Sequence, residues 1–272
     1  MVVVAEKGRK GAYMWMGTAS RSGGLDESES AQDFSGSAAP ASRRRPQRLS
    51  TAVADELLRR IVSGEYAVGT QLPPEPLLVD EFEVSRPVAR EAVKSLETAG
   101  LVSIRQGEGT VVRARREWSI LDQRVLRVAL TYSAGSRLVD DAIDLRVELE
   151  RSLVAEAAEK LTDGDFSGMV DHLRVMDSAT DLTELQRADL AFHQVYRERA
   201  GNELKSSIAR LLVEEMPLGE RITRDPRAMY DFANKQHWEI YQALLEGRTD
   251  DAIDAIARHV RESWTWRPHE TT

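Results

Sequence analysis

The stretch that decides the fold is "LLVDEFEVSRPVAREAVKSLETAGLVSIRQGEGTVV", Leu77 to Val112. Leu77, Leu78, Val79 and Phe82 predict a short helix, and a second helix follows Ser85 to about Ala99. Ser85 is a favoured N-cap residue, and Gly100 stands where a helix stops. The connection "EFEVSR" is short enough for a tight turn. Beyond Gly100 the chain becomes β-prone, and two short runs about Gln106-Gly107-Glu108-Gly109 predict a hairpin turned by its glycines. Upstream, Val53, Leu57, Leu58, Ile61 and Val62 recur at helical spacing from Leu49 until Gly64, after which "VGTQLPPEP" breaks the chain. Arg86 and Arg90 lie four apart, so both project from one face at the exposed start of the helix that Ser85 opens.

Three helices followed by a hairpin is the order of a winged helix-turn-helix. Residues Leu72 to Val112 resemble the DNA-binding domain of the GntR family of bacterial transcription regulators. The resemblance implies that the helix after Ser85 is a recognition helix, with Arg86 and Arg90 reaching a major groove. An arginine fork suits that task because it bonds both O6 and N7 of guanine. Gln106 and Gly107, at the wing tip, then approach the minor groove or its phosphates. Without the resemblance, the two arginines read as a solvated pair neutralised by Glu91 and Glu97. Two departures stand out. Pro76 follows Glu75 where the family's "LPSER" element has an arginine, and Pro87 takes the place of a common threonine. Proline is tolerated in a first helical turn, so the helices survive while one phosphate contact and one hydrogen-bond donor are lost.

The chain has 272 residues, room for two modest domains that need no covalent staples. It has no cysteine, which excludes disulfides and thiolate metal sites and fits a reducing compartment. No apolar run approaches the ~20 residues a spanning helix needs. The expectation is a cytoplasmic protein with no membrane partner. A net charge of −8 argues against nucleic acid only if it is spread evenly. Eight basic and five acidic residues lie in 1–48, leaving 29 basic and 40 acidic beyond, so a small DNA reader could still present a basic face.

Residues 1–46, rich in Gly, Ser, Ala and Arg, read as a disordered tail, with "RRRPQR" a solvated linker or a phosphate-touching arm. Residues 47–115 form the winged domain, 116–137 a linker with some helical character, 138–267 the second domain and 268–272 a tail. In 138–267 the breaks "TDGD", "SATD", "AGN", "RDPR" and "EGRTD" separate about six helices, without alternating strands. The fold class is therefore mainly α: an N-terminal winged helix-turn-helix followed by an all-α helical-bundle ligand domain. An all-helical second half resembles the FadR-like branch of the family, with its FCD ligand domain, through "WSILDQRVL", "DLRVELERSLVAEAAEK" and "DLAFHQVYRERAGN".

Candidate chemistry in this half centres on histidine. Asp189 precedes His193 by one turn and shares its face, while His237 and His259 lie on the last two helices, which can pack back against it. Three imidazoles and a carboxylate suit a divalent transition metal, Zn foremost, with Ni, Co or Mn as other fits. The FCD resemblance places metal ligands at these four positions; His172 and His269 have no counterpart. Arg146 shares a face with Ile143, Leu149 and Leu153, so its guanidinium points inward and needs a partner. That partner is either Glu150, one turn on, or, as the resemblance implies, the carboxylate of an effector bridging Arg146 and the metal. Asn202, after Gly201, reads as a turn or cap.

The expected function is a transcription regulator, a repressor in sign and a homodimer on an inverted-repeat operator, released when a small carboxylate effector binds. The "WSILDQRVL" linker resembles that of sugar-acid regulators, which points to a sugar acid or hydroxy acid. Two rivals remain: a metal-dependent enzyme in which the three-His, one-Asp set activates water, and an architectural DNA binder with no active effector site. An H-E-x-x-H motif is absent, which counts against the enzyme.

Overall fold

The computed structural model describes residues 44–105, 107–132, 137–216 and 226–265. Its first helix, α1 (Arg44–Val62), buries Val53, Leu57, Leu58 and Ile61 against α3 (Arg86–Thr98), which returns Ala89, Ala92, Val93 and Leu96. Between them α2 (Glu75–Glu81) contributes the fully buried Leu78. Each such leucine taken out of water contributes about 2 kcal/mol. α1 starts at Arg44, before the expected Leu49, because arginines propagate a helix well without giving any apolar signal. The prolines of α2 and α3 sit at first-turn positions, where no hydrogen bond is lost. The turn between these helices places Glu83 in the left-handed region at φ 51°.

The wing is an antiparallel hairpin, β1 (Val102–Arg105) with β2 (Gly109–Val112), in register from Val102 opposite Val112 to Arg105 opposite Gly109. The segment read only as a break adds a third strand-like edge. Leu72 donates to the Thr110 carbonyl at 2.8 Å, and Val112 to that of Thr70 at 2.9 Å. Gly100 has φ +75°, and a Cβ there would lie 2.5 Å from the Glu117 carbonyl oxygen, so both conformation and space demand glycine.

The linker is more ordered than its sequence suggests. A 3-10 turn at Arg115–Glu117 leads into α4 (Gln123–Tyr132), and this stretch serves two cores. Trp118 and Val125 join the core of the winged domain, while Leu126 and Leu130 join that of the bundle. Among the described residues the bundle comprises α5 (Arg137–Ala157), α6 (Asp163–Ser178), α7 (Leu182–Ala200), α8 (Glu203–Glu215), α9 (Pro226–Leu245) and α10 (Thr249–Thr265), where about six helices were expected. The breaks are caps: Thr162 and Asp165 form a capping box, Asp181 caps α7, Gly201 ends it at φ 73°, and Asn202 caps α8. α5 lies against α7, α8 and α10, and α9 against α10 and α6, closing a core that includes Leu153, Met169, Phe192 and Ile256. Among the described residues no helix is long and apolar enough to cross a membrane.

Candidate functional site

At the N-terminal turn of α3, Ser85, Arg86 and Arg90 are exposed. Ser85 holds the N-cap position without a capping side-chain bond, so its hydroxyl stays available. Neither arginine joins an ion pair among the described residues. Glu97, read as a neutralising neighbour, instead accepts the Ile104 amide at 3.2 Å. Gly107 is exposed at the wing tip with φ +83°, and Gln106 lies outside the described residues. The Gln71 amide anchors the wing by donating to the Glu108 carbonyl at 2.6 Å.

In the bundle, α7, α9 and α10 bring three buried imidazoles together. The Nε2 of His237 lies 3.2 Å from that of His193 and 3.1 Å from that of His259. Their ligating atoms all fall within 4.8 Å of one another. Asp189, one turn before His193, places Oδ1 3.5 Å from the His237 Nε2. Burial pulls the His237 pKa down to about 3, with Arg146 adding to the fall, and burial puts His193 and His259 well below their ordinary value. The imidazoles are therefore neutral at physiological pH, the form that offers a nitrogen lone pair to a cation. Burial raises Asp189 to about 6 against the pull of Arg146 and Arg197. His172 is half-buried on α6 and stays outside the cluster, and His269 lies outside the described residues.

Arg146, on α5, is nearly buried, and its Nε has no hydrogen-bond partner among the described residues. Glu150 Oε1 is 3.7 Å away, too far to accept from it. The Glu150 carboxylate belongs instead to a residue that local spacing did not single out. Arg197, on α7, grips both of its oxygens, and the Tyr196 hydroxyl donates to Oε2 at 2.7 Å. Burial alone would raise the Glu150 pKa, but Arg197 first, then Arg146 and Tyr196, hold it below the usual range. A clue to Arg197 was present in "HQVYRER", where Tyr196 and Arg197 follow His193 by three and four positions and so share its side of α7.

Arg146, Asp189 and His259 form one wall of a cavity of about 370 Å³, a volume in the range of small-molecule sites. Met229, Tyr230 and Trp264 give it apolar surface, while Gln186, Glu214 and Ser263 add hydrogen-bonding groups. Behind it, Glu215 ends α8 and ties it to α4. Gln123 donates to its Oε1 at 2.6 Å, and Arg127 binds both carboxylate oxygens. From the same helix, Arg124 donates to Ser95 of α3 at 2.8 Å.

Residues 49–112 match the family described as bacterial regulatory proteins, gntR family, and residues 141–262 match the FCD domain. The chain is 31% identical to the HTH-type transcriptional repressor NanR of Klebsiella aerogenes, over 83% of this chain and 89% of that protein. It is 32% identical to NanR of an Enterobacter species, over 82% and 88%. Among solved structures it shares its fold with Lar, which controls expression of the Listeria monocytogenes agr system, at TM-score 0.52 and 22% identity over 80% of this chain and 98% of that one. These relatives are regulators of transcription, not enzymes. The winged reader, the helical bundle that follows it and these likenesses together establish that the chain belongs to the gntR family of bacterial regulatory proteins and carries an FCD domain.

Proposed function

We propose that the chain is a repressor whose hold on an operator is released by a small organic acid. The observation that carries this reading is the cavity wall shared by Arg146, whose buried Nε makes no hydrogen bond among the described residues, and by Asp189 and His259, the latter one of three clustered neutral histidines. A buried guanidinium without a full set of acceptors is costly, and an anionic ligand is the simplest group to complete it. The donor set fits a divalent transition metal held by His193, His237, His259 and Asp189, Zn foremost and Ni, Co or Mn as other fits. When bound, such an ion supplies a positive seat for an anionic oxygen. The carboxylate then binds between Arg146 and the cluster, while Gln186, Glu214 and Ser263 favour a ligand with hydroxyl groups, a sugar acid or hydroxy acid.

On the DNA side, Arg86 and Arg90 read base edges, Ser85 and Gly107 approach phosphates, and Gln106 is assigned beside Gly107 from sequence alone. Such readers work as dimers on inverted repeats, and a homodimer in the cytoplasm is the corresponding assembly. The repressor sign follows the named function of the NanR relatives. α4, bonded to Glu215 on one side and to Ser95 of α3 on the other, is the element through which a change in the cavity reaches the reader. Elemental analysis of the full chain tests the metal. About one divalent transition ion per chain, lost in His193→Ala and His259→Ala, is expected. A metal-free protein whose thermal stability ignores added Zn²⁺ and Ni²⁺ contradicts it.

A further inference from the structure

Two of the three clustered histidines are wired to carboxylates through a single intermediate side chain. The Tyr196 hydroxyl has one proton and donates it to Glu150 Oε2, a carboxylate that Arg197 keeps ionised and that has no proton to return. The same hydroxyl oxygen lies 2.7 Å from His193 Nδ1, so it accepts there and Nδ1 carries the hydrogen. A neutral imidazole protonated at Nδ1 exposes a bare lone pair at Nε2, the atom that faces the cluster. On the other side, the Gln236 amide nitrogen donates to the Glu262 carboxylate, which turns the amide oxygen toward His259 Nδ1 at 3.2 Å. The Ser263 hydroxyl lies 3.3 Å from the same nitrogen and accepts there too once Nδ1 carries the hydrogen that the amide oxygen calls for, so His259 takes the same tautomer. His237 differs, because its Nδ1 is buried with no partner among the described residues.

We propose that Tyr196 and Gln236 are positioning residues which, anchored by Glu150 with Arg197 and by Glu262, lock His193 and His259 as Nδ1–H tautomers, so that two Nε2 lone pairs are aimed at one point before any cation arrives. In the metal-free protein His237 is the complement. Its Nε2, 3.2 and 3.1 Å from the two lone pairs, carries the hydrogen that separates them. Were a cation held at the cluster, His237 would offer it Nε2 and carry its proton on the buried Nδ1 instead. This inference rests on the metal-binding reading, but its primary test does not require metal.

The test is nitrogen-15 NMR of the histidine rings in full-length, metal-free protein, followed by titration of Zn²⁺ against a competing chelator. In the parent, His193 and His259 should report hydrogen on Nδ1 and His237 on Nε2. Tyr196→Phe removes the accepting oxygen, and with it the hydrogen bond donated to Glu150, but leaves Arg197 on Glu150. It should release His193 into a tautomer mixture, leave His259 as it was, and weaken Zn²⁺ binding ~10–100-fold. Gln236→Met removes the amide acceptor at His259, leaving only the Ser263 hydroxyl, which can donate as well as accept, and serves as the second variant should Tyr196→Phe fail to fold. If neither variant alters the tautomer of its histidine, or if Zn²⁺ affinity in both stays within about twofold of the parent, these side chains are structural and the proposal is overturned. A parent that shows the expected tautomers yet takes up no Zn²⁺ supports the positioning network while removing the metal-binding reading.

Discussion

Arg197→Met probes the most heavily buried ion pair among the described residues. Glu150 is 0% exposed and Arg197 1%, and the arginine supplies hydrogen bonds to both carboxylate oxygens. Removing one partner of a buried ion pair typically costs ~3–5 kcal/mol, because an uncompensated charge is left behind. Here the loss is partly offset, since Arg146 already stands 3.7 Å from the Glu150 carboxylate. Closing that gap to hydrogen-bond length at an effective dielectric of ~20 gains about 1.4 kcal/mol. The net loss should therefore be ~2–3 kcal/mol, a fall of roughly 5–10 °C in melting temperature for a domain of this size. Urea denaturation followed by circular dichroism measures it, with Glu150→Gln and the double variant completing a cycle. The double variant should be more stable than Arg197→Met, because neither charge is then buried alone. A loss below about 1 kcal/mol, or additive effects in the cycle, would refute the ionised pair at the centre of the bundle.

Three further outcomes follow from other parts of the chain. Gly100→Ala should destabilise the winged domain by about 2 kcal/mol or more, from the left-handed backbone and a Cβ driven against the Glu117 carbonyl, and a normal urea midpoint would contradict it. Arg86→Ala and Arg90→Ala should each weaken specific operator binding by about 1–3 kcal/mol with unchanged melting, and footprints like the parent's would remove α3 as the reader. Burial raises the Glu215 pKa, but Arg127 and then Gln123 outweigh it and hold the carboxyl low. The folded value lies below the unfolded one of about 4.3, so its contribution is full above that pH and fades as pH falls through the folded value. Glu215→Gln should accordingly flatten the fall in urea midpoint below about pH 4, and an unchanged pH profile would count against the pair.

The three helices and the wing were legible because their signals are local: a change of hydrophobic period, an N-cap at Ser85 and a stop at Gly100. Spacing alone gave the histidines as residues on separate helices able to pack together, and the FCD resemblance joined them into one set, because their meeting depends on how α7, α9 and α10 pack. Spacing offered Glu150 as one of two partners for Arg146, and the two do stand 3.7 Å apart on α5, but the carboxylate's hydrogen bonds go to Arg197, 47 positions away on α7, which spacing did not show. Gln236 was invisible for the same reason, because its partner His259 belongs to the next helix. The linker misled in the other direction. Val125, Leu126, Ala129 and Leu130 are all buried in α4 at regular helical spacing, but the helix is short and its apolar residues are divided between two cores, so nothing local shows that it belongs to both. The start of α1 lay in arginines that carry no burial signal at all.

The most direct measurement is fluorescence anisotropy of the labelled operator complex, titrated with a panel of sugar acids and hydroxy acids. It is run on the parent, on Arg146→Ala and on chelator-treated parent. An effector releases DNA only to the extent that it binds the DNA-incompetent state more tightly, so losing its seat should abolish release without abolishing operator binding. The expected result is an acid that dissociates the parent complex but leaves both the Arg146→Ala and the chelated complexes intact. Release of parent and Arg146→Ala at the same concentration, or no release by any acid, would contradict an effector site built on Arg146 and the histidine cluster.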